Sequence, residues 1–238
     1  MPKKVTHAPK LIFQEDGTPY SSQFNDIYFD SESGYQQSEQ VFLCGNNISK
    51  RIKKARERFV IGETGFGTGL NFLLTLQAYH AIQQESPNQI VPKLSFISIE
   101  KYPLAIEQLQ QSLKAFPQLR TFIDLLLAQY PILSNDENTL KEFTFSFFNN
   151  QVTLKLIIND AANGLANITS RKQGLVDAWY LDGFSPAKNP EMWSEALFEQ
   201  IGRLSKPQAT IATFTVLWFC KAPYAKNWFS YPEKRLYR

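Results

Sequence analysis

The sequence predicts an α/β fold in which helices cover both faces of a mostly parallel β-sheet. Apolar, strand-like runs alternate with helical patterns along the chain, and this alternation favours a parallel sheet. The first run enters a loop with glycine at every second position, and the early runs end on polar or glycine residues. With 238 residues, 43% of them hydrophobic, the chain is long enough to bury one large core.

Hydrophobic periodicity and turn residues predict the elements in order. Residues 1–58 form an N-terminal extension packed on the domain, with a hairpin made by residues 27–29 and 40–43. Residues 59–215 form the domain itself, and its predicted strands are 59–63, 94–99, 143–148, 152–158, 176–181 and 209–215. Its predicted helices are 71–84, 103–116 and 191–204. The third and fourth strands form a hairpin around Asn149-Asn150-Gln151.

The loop Gly65-Phe66-Gly67-Thr68-Gly69 joins the first strand to the first helix. Glycine permits a tight turn and close approach to a ligand, and the helix that follows points unpaired N–H groups the same way. Leu70 and Asn71 stand where a P-loop needs Lys followed by Ser or Thr. Leu70 also occupies the position at which the dinucleotide fingerprint needs its third glycine. With Glu63 ahead of it, the loop resembles the first motif of S-adenosylmethionine-dependent methyltransferases, whose cofactor carries an ammonium and a sulfonium and no phosphate. A glycine-rich turn without a ligand is the alternative.

Acidic residues follow four of the predicted strands: Glu63, Glu100, Asp160 and Asp182. Ligands in parallel sheets bind outside the carboxyl ends of the strands, so these acids are expected to meet. A single acid after a strand is more often a helix N-cap or turn former, but four beside one glycine loop indicate a site. Glu100 is placed to accept hydrogen bonds from two ribose hydroxyls, and Asp160 to meet an adenine amino group.

The most specific segment runs from Asp177 to Trp193 and contains Asp182-Gly183-Phe184-Ser185-Pro186. A strand end is followed there by a stiffened loop with an aromatic residue, which resembles the Asp-Pro-Pro-Tyr type loop of methyltransferases acting on amino nitrogens. In those enzymes the acid and nearby carbonyls accept hydrogen bonds from the amine, and the ring packs on a flat base. A rigid loop that only caps the helix 191–204 is the alternative.

Taken whole, this segment resembles the methyltransferase domain of the bifunctional tRNA 5-methylaminomethyl-2-thiouridine biosynthesis (MnmC) family. The resemblance covers about residues 11–215 and implies a Rossmann-like S-adenosylmethionine-dependent methyltransferase fold, with 59–215 as the methyltransferase domain. The other segments that carry it, in the family's order, are Asp26-Ile27-Tyr28-Phe29, Val41-Phe42-Leu43-x-Gly45-Asn46, the loop and helix start 65–72, Phe96-Ile97-Ser98-x-Glu100-Lys101 and Ala212-Thr213-Phe214-Thr215.

The resemblance implies methyl transfer from S-adenosylmethionine to the 5-aminomethyl nitrogen of a modified wobble (2-thio)uridine in tRNA. The cofactor-binding residues that it implies are Glu63, Gly65, Phe66, Gly67, Gly69, Glu100 and Asp160. Asp182 is the implied catalytic residue at the substrate amine, beside the substrate-binding residues Gly183, Phe184 and Lys188. We expect Asp182 to orient the neutral amine, because an ordinary carboxylate is a weak base towards an alkylammonium ion. No metal is implied.

After Thr215 the resemblance stops, whereas the family continues into a basic, glycine-rich segment and then an FAD-dependent oxidoreductase domain. Plausible codons for residues 219–237, read one base out of register, give a text closer to that continuation. We therefore hypothesise that 216–238 is an aberrant tail produced by a frameshift near codons 215–219. The closing strands of the sheet would then be missing or scrambled, leaving an open edge. A divergent natural C-terminus is the alternative.

Charge and composition limit the classes of binding partner and the cellular location that the sequence predicts. Residues 216–238 hold five basic side chains and one acid, so the net charge of +3 belongs to the tail. The basic run 51–58 fits a solvated face and an RNA-facing patch equally well. The sequence lacks a membrane-length apolar run and a signal-peptide pattern, and two cysteines with two histidines give no disulfide framework or zinc site. We expect a cytoplasmic monomer with tRNA as its partner and no membrane contact.

Two other functions stay open at this stage. One is a truncated, catalytically impaired remnant that binds only the cofactor or tRNA. The other is an amine methyltransferase or an aminopropyltransferase-like enzyme that acts on a small molecule.

Overall fold

A computed structural model describes residues 11–85, 87–130, 141–170 and 172–214, and every structural statement below refers to these residues. The predicted tail 216–238 and Thr215, the end of the last predicted strand, lie outside them. The N-terminal strands β1 (Leu11–Phe13), β2 (Pro19–Ser21) and β3 (Asp26–Ile27) form a small antiparallel sheet.

The central sheet has six strands in the order β6-β7-β5-β4-β8-β9. Their bounds are β4 Arg58–Thr64, β5 Lys93–Glu100, β6 Lys141–Phe147, β7 Val152–Ile158, β8 Val176–Leu181 and β9 Ser205–Ala212. Only the β6–β7 hairpin at one edge is antiparallel, so the predicted α/β class with a mostly parallel sheet is confirmed. The sixth strand begins four residues earlier than predicted, at Ser205.

Seven α-helices connect and cover the described strands. They are α1 Gly34–Ser38, α2 Ile48–Lys54, α3 Leu70–Glu85, α4 Ile106–Ser112, α5 Arg120–Leu127, α6 Ala161–Ala166 and α7 Glu195–Leu204. The predicted helix 71–84 is confirmed as α3. The predicted helix 103–116 is shorter, because Pro103 and Pro117 restrict both ends and residues 113–115 tighten into a 3₁₀ turn. Ser194 caps α7 by accepting a hydrogen bond from the Leu197 amide at 3.4 Å, so the loop 182–186 is not the cap.

The predicted hairpin between residues 27–29 and 40–43 is wrong. β3 pairs with β2, because the chain reverses at Asn25, whose φ of +53° permits a tight local turn. Residues 40–43 lie in a π-helical turn, Glu39–Cys44, that continues directly from α1. Phe42 and Leu43 are buried against the domain in this turn, so their apolar character reflects a helical face and not a strand.

The core has one apolar layer on each face of the central sheet. Helix α3, with α2, α4 and α5, packs on one face, where Phe72, Phe96 and Tyr180 meet. Helices α6 and α7 pack on the other face around Trp179, whose ring lies across β4 at Gly62. The described residues contain no helix that is both long and apolar enough to cross a membrane.

Gly62→Ala is expected to destabilise the protein. A Cβ at this position would lie 2.4 Å from Cζ3 of Trp179, in a layer where Trp179 is fully buried. Overpacking of this kind costs about 1–3 kcal/mol, and urea unfolding measures the loss of unfolding free energy. Gly183→Ala is the matched control, because its Cβ would meet only the flexible end of Met192, at 3.0 Å. Equal unfolding free energies of the two variants would contradict the close packing of the Trp179 ring on Gly62.

Candidate active site

The glycine loop after β4 is shaped by close packing. Gly65, Gly67 and Gly69 have φ values of +86°, +53° and +74°, which side chains rarely adopt. A Cβ on Gly65 would lie 2.2 Å from the carbonyl oxygen of Asp182, at the end of the neighbouring strand β8. A Cβ on Gly69 would lie 2.8 Å from the ring of Phe66. The loop is thereby pressed against the end of β8.

A cavity of about 300 Å³ opens at the carboxyl ends of the parallel strands, within the size range of ligand pockets. The glycine loop, the ends of β5 and β7, the loop after β8 and the N-terminal segment line it. Among the lining residues that the structure describes, Lys101 is the one lysine or arginine, and six are acidic: Asp26, Asp30, Glu100, Asp160, Asp182 and Glu191. The cavity therefore favours a cationic ligand and disfavours phosphate.

Glu100 ties the end of β5 to the glycine loop. Its Oε2 accepts a hydrogen bond from the Gly67 amide at 2.9 Å, and its Oε1 accepts one from the Tyr102 amide at 2.8 Å. Burial raises the pKa of the Glu100 carboxyl, although these amide hydrogen bonds oppose the shift. Carboxylate oxygens accept more than one hydrogen bond each, so Glu100 can hold the loop and a ligand hydroxyl together.

Asp160 caps helix α6 as well as lining the cavity. Its Oδ1 accepts hydrogen bonds from the amides of Ala162 and Asn163, at 3.1 and 3.3 Å. Its Oδ2 lies 3.7 Å from Nζ of Lys101, which also pairs with Glu191. Asp160 therefore has the N-cap role that is usual for a single acid after a strand, and it lines the cavity as well.

Glu63 lies beneath the cavity and is 1% exposed. Its Oε2 accepts a 2.6 Å hydrogen bond from the Ser98 hydroxyl, and its Oε1 accepts one from Nδ2 of Asn71 at 3.1 Å. Burial, reinforced by the nearby charge of Asp182, raises the pKa of Glu63 well above its ordinary value. Burial thus disfavours the ionised form, and Glu63 supports Asn71 from below.

Asp182 is at the end of β8, where Asn71 Nδ2 donates a 2.6 Å hydrogen bond to its Oδ2. Burial raises the pKa of Asp182 to about 6, and the charge of Glu100 adds to the shift. Asn71, in the first turn of α3, is 4% exposed and also lines the cavity. The sequence prediction missed Asn71 as a site residue; the available signal was a polar residue directly after the glycine loop, on a helix whose next residues are apolar.

The N-terminal segment 24–30 covers one side of the cavity. Phe24 stacks on Phe184 with ring centroids 4.6 Å apart, and Tyr28 meets the same ring edge-on at 5.3 Å. Asp26 pairs with Lys188 at 3.0 Å, which fastens the segment to the loop after β8. These contributions were also missed, although the Asp26-Ile27-Tyr28-Phe29 motif mixes aromatic and acidic residues in a way that buried cores rarely do.

The structure brings most of the predicted site residues to one wall. Those lining the cavity are Gly65, Phe66, Gly67, Glu100, Asp160, Asp182, Gly183 and Phe184. The lining does not include Glu63, which lies below it, Gly69, which packs on Phe66, or Lys188, which pairs with Asp26. In the described part of the chain, no group of His, Cys, Asp and Glu is arranged to hold a metal ion.

The basic run 51–58 is partly structural. Arg51 donates a 2.8 Å hydrogen bond to the Asp177 carbonyl, also bonds Thr210, and lies over the Phe59 ring. Burial lowers the pKa of the Arg51 guanidinium, which shows that it faces the protein more than the solvent. Lys53 pairs with Glu85 on the surface. Arg51 therefore joins α2 to β8 and β9.

Comparison with known proteins agrees with this geometry. Residues 117–231 match the family described as S-adenosyl-L-methionine-dependent methyltransferase. A crystal structure of MNMC2 from Aquifex aeolicus shares the fold, with a TM-score of 0.64 and 21% identity, over 88% of this chain and 60% of that one. The chain is therefore a Rossmann-like S-adenosylmethionine-dependent methyltransferase, which confirms the predicted class and cofactor.

The relatives within that class are more specific. The chain is 44% identical over 222 residues to the tRNA 5-methylaminomethyl-2-thiouridine biosynthesis bifunctional protein MnmC of Aeromonas hydrophila, and 42% identical over 213 residues to that of Pseudomonas savastanoi. These alignments cover 93% and 89% of this chain. The chain belongs with the MnmC proteins, and it spans about a third of their length, 32% and 30%. The family match reaches residue 231 and so includes part of the segment 216–238.

The raised pKa of Asp182 predicts a stability cost that grows with pH. Because its pKa is about 6 in the folded protein and 3.8 ordinarily, the folded state binds the proton more tightly, and unfolding free energy is lost as pH rises from about 4 to 6. Two pKa units correspond to about 3 kcal/mol. Asp182→Asn should therefore unfold at higher urea than the native protein at pH 7, and the difference should shrink towards pH 4.

The control for this prediction is Asp124→Asn. Asp124 is an exposed acid paired with Arg120 on the surface of α5, with 55% and 74% of their side chains exposed. This variant should show no comparable pH-dependent gain. A pH-independent difference for Asp182→Asn would contradict the burial of its charge.

Proposed function

We propose that this chain methylates the 5-aminomethyl nitrogen of a modified wobble (2-thio)uridine in tRNA. The observation that carries the proposal is the partly buried Asp182 carboxyl, which lines the same cavity as the aromatic ring of Phe184. A carboxylate suits a basic amine, and a flat ring suits the heterocycle that bears the amine. The MnmC relatives, named for the biosynthesis of 5-methylaminomethyl-2-thiouridine in tRNA, supply the substrate class.

The residues present fit S-adenosylmethionine. The acidic lining suits a ligand with an ammonium and a sulfonium, and the glycine loop allows its backbone to approach closely. We assign Glu100 to the ribose hydroxyls, Asp160 to the adenine amino group, and Gly65, Phe66 and Gly67 to direct contact. Glu63 and Gly69 act indirectly, the first by supporting Asn71 and the second by shaping the loop.

When bound, S-adenosylmethionine supplies an electrophilic methyl group, and the amine nitrogen forms an N–C bond as the S–C bond breaks and leaves its electron pair on sulfur. Asp182 orients the neutral amine in this reaction. Its pKa of about 6 lies far below the value of about 10 for an alkylammonium ion, so full proton transfer to it is uphill. Positioning of the lone pair is the larger contribution that the protein can make. The proton of the methylated nitrogen is then released to solvent.

We assign the rings of Phe24 and Phe184, here called the aromatic wall, to stacking on the nucleobase. Phe184 stacks with Phe24, and Gly183 lines the cavity beside Phe184. We propose that Lys188 holds the segment 24–30, here called the cover segment, through its ion pair with Asp26. Lys188 is not assigned to direct substrate contact. tRNA as the substrate supports a cytoplasmic location.

The central test is methylation of tRNA that carries 5-aminomethyl-2-thiouridine. With labelled S-adenosylmethionine, mass analysis should find the label at the wobble nucleoside. Asp182→Ala should lower the rate about a hundredfold or more, because the amine loses its orienting group, while Asp124→Ala on the surface should not change it.

Three outcomes, from this assay and from calorimetry of cofactor binding, contradict the proposal. Labelling of free small amines without labelling of tRNA would indicate a small-molecule methyltransferase. Calorimetric binding of S-adenosylmethionine without any turnover would indicate an impaired remnant. An unchanged rate in Asp182→Ala would remove Asp182 from the mechanism.

Phe184→Leu and Phe24→Leu are each expected to raise KM for tRNA by about fivefold to a hundredfold, because stacking on a base is worth about 1–3 kcal/mol. The dissociation constant of S-adenosylmethionine, measured by calorimetry, should stay within about twofold, as stacking on the RNA base is not part of cofactor binding. Phe13→Leu is the matched control, because Phe13 is a phenylalanine of strand β1 in the N-terminal sheet and does not line the cavity. Equal KM values for all three variants would contradict the assignment of the aromatic wall.

A further inference from the structure

Asn71 lines the cavity, and its side-chain oxygen is buried without a hydrogen-bond partner among the described residues. Buried acceptors are nearly always satisfied, and an unsatisfied one in a ligand cavity indicates an acceptor kept for the ligand. Asn71 is 4% exposed, so bulk water does not reach this oxygen freely.

The orientation of the Asn71 amide follows from its neighbours. Nδ2 donates one hydrogen bond to Asp182 at 2.6 Å and the other to Glu63 at 3.1 Å, which uses both of its protons. Turning the amide over would place Oδ1 against two carboxyl groups. The acceptor Oδ1 is therefore held one amide group away from the Asp182 carboxyl, on the same wall.

These two acceptors match the needs of a primary amine. To attack a methyl group, the nitrogen must be neutral and must direct its single lone pair at the methyl carbon. A neutral primary amine then has two N–H bonds to place elsewhere, whereas a secondary amine has one. Asp182 and Asn71 Oδ1 together can accept two.

We propose that Asp182 and Asn71 Oδ1 form a two-acceptor clamp that selects a primary amine and stops the reaction after one methyl group. This rests on the proposed function and adds substrate selection to it. The monomethylated nitrogen has only one N–H in its neutral form, so its reaction would leave one buried acceptor unpaired. That penalty slows a second transfer by about tenfold or more.

Two RNA substrates test the clamp, one with 5-aminomethyluridine and one with 5-methylaminomethyluridine at the same wobble position. The native protein should give a kcat/KM at least about tenfold higher for the primary amine. Asn71→Leu, which removes the acceptor at similar volume, should bring this ratio close to one and yield dimethylated nucleoside detectable by mass.

The ratio of two substrates on one protein is insensitive to a general loss of structure, and the native protein alone supplies its first value. If the native protein methylates both amines equally well, or if Asn71→Leu keeps the native ratio, the clamp is wrong. Calorimetry of S-adenosylmethionine adds a reading without turnover. A large loss of cofactor affinity in Asn71→Leu with an unchanged ratio would assign Oδ1 to the cofactor and overturn the proposal. Absence of any methylation by the native protein would instead refute the proposed function.

Discussion

The site depends on the close approach of the glycine loop to the end of β8. Because β4 and β8 are adjacent parallel strands, the loop after one can lie against the backbone of the other. At Gly65 this approach leaves no space for a side chain, since a Cβ would fall 2.2 Å from the Asp182 carbonyl. The contact joins the part of the cavity lined by the glycine loop to the part that carries Asp182. It also starts α3 at the position from which Asn71 reaches Asp182.

A second constraint is that three carboxyl groups lie close together, with Glu63 buried and Glu100 and Asp182 partly buried. Burial raises the pKa values of Glu63, Glu100 and Asp182, so each ionised form is disfavoured. Hydrogen bonds from Ser98, Asn71 and backbone amides offset part of that cost. Such an arrangement lowers stability in the free protein, and a cationic ligand in the cavity would recover the loss. Among the described residues, the groups that donate hydrogen bonds to these three carboxyls are neutral, so the site suits a positively charged ligand.

Much of the fold and part of the site could be predicted from the sequence. The strands are strongly apolar runs, and α3 is a long, largely apolar segment directly after the glycine loop. The acids after β5, β7 and β8 converge because parallel strands end at one edge. Helix α6, in contrast, was not predicted, since it is six residues long and contains Asn163 and Gly164. The cover segment 24–30 and Asn71 reach the cavity through contacts with residues more than a hundred positions away, such as Phe184 and Asp182. Local periodicity carries no information on such distant partners, so these residues needed the structure.

The acidic lining has a consequence for how an RNA could use this cavity. A polyanion meets repulsion at a wall with six carboxylate residues and one lysine, so its phosphates must stay outside. Only a nucleotide turned out of the anticodon stack, with its amine leading, can then enter. The acidic lining attracts the positive charge on that amine, whereas an unmodified uridine carries no such charge. If the chain acts on tRNA as proposed, recognition of the modification begins at long range, before any ring reaches Phe184.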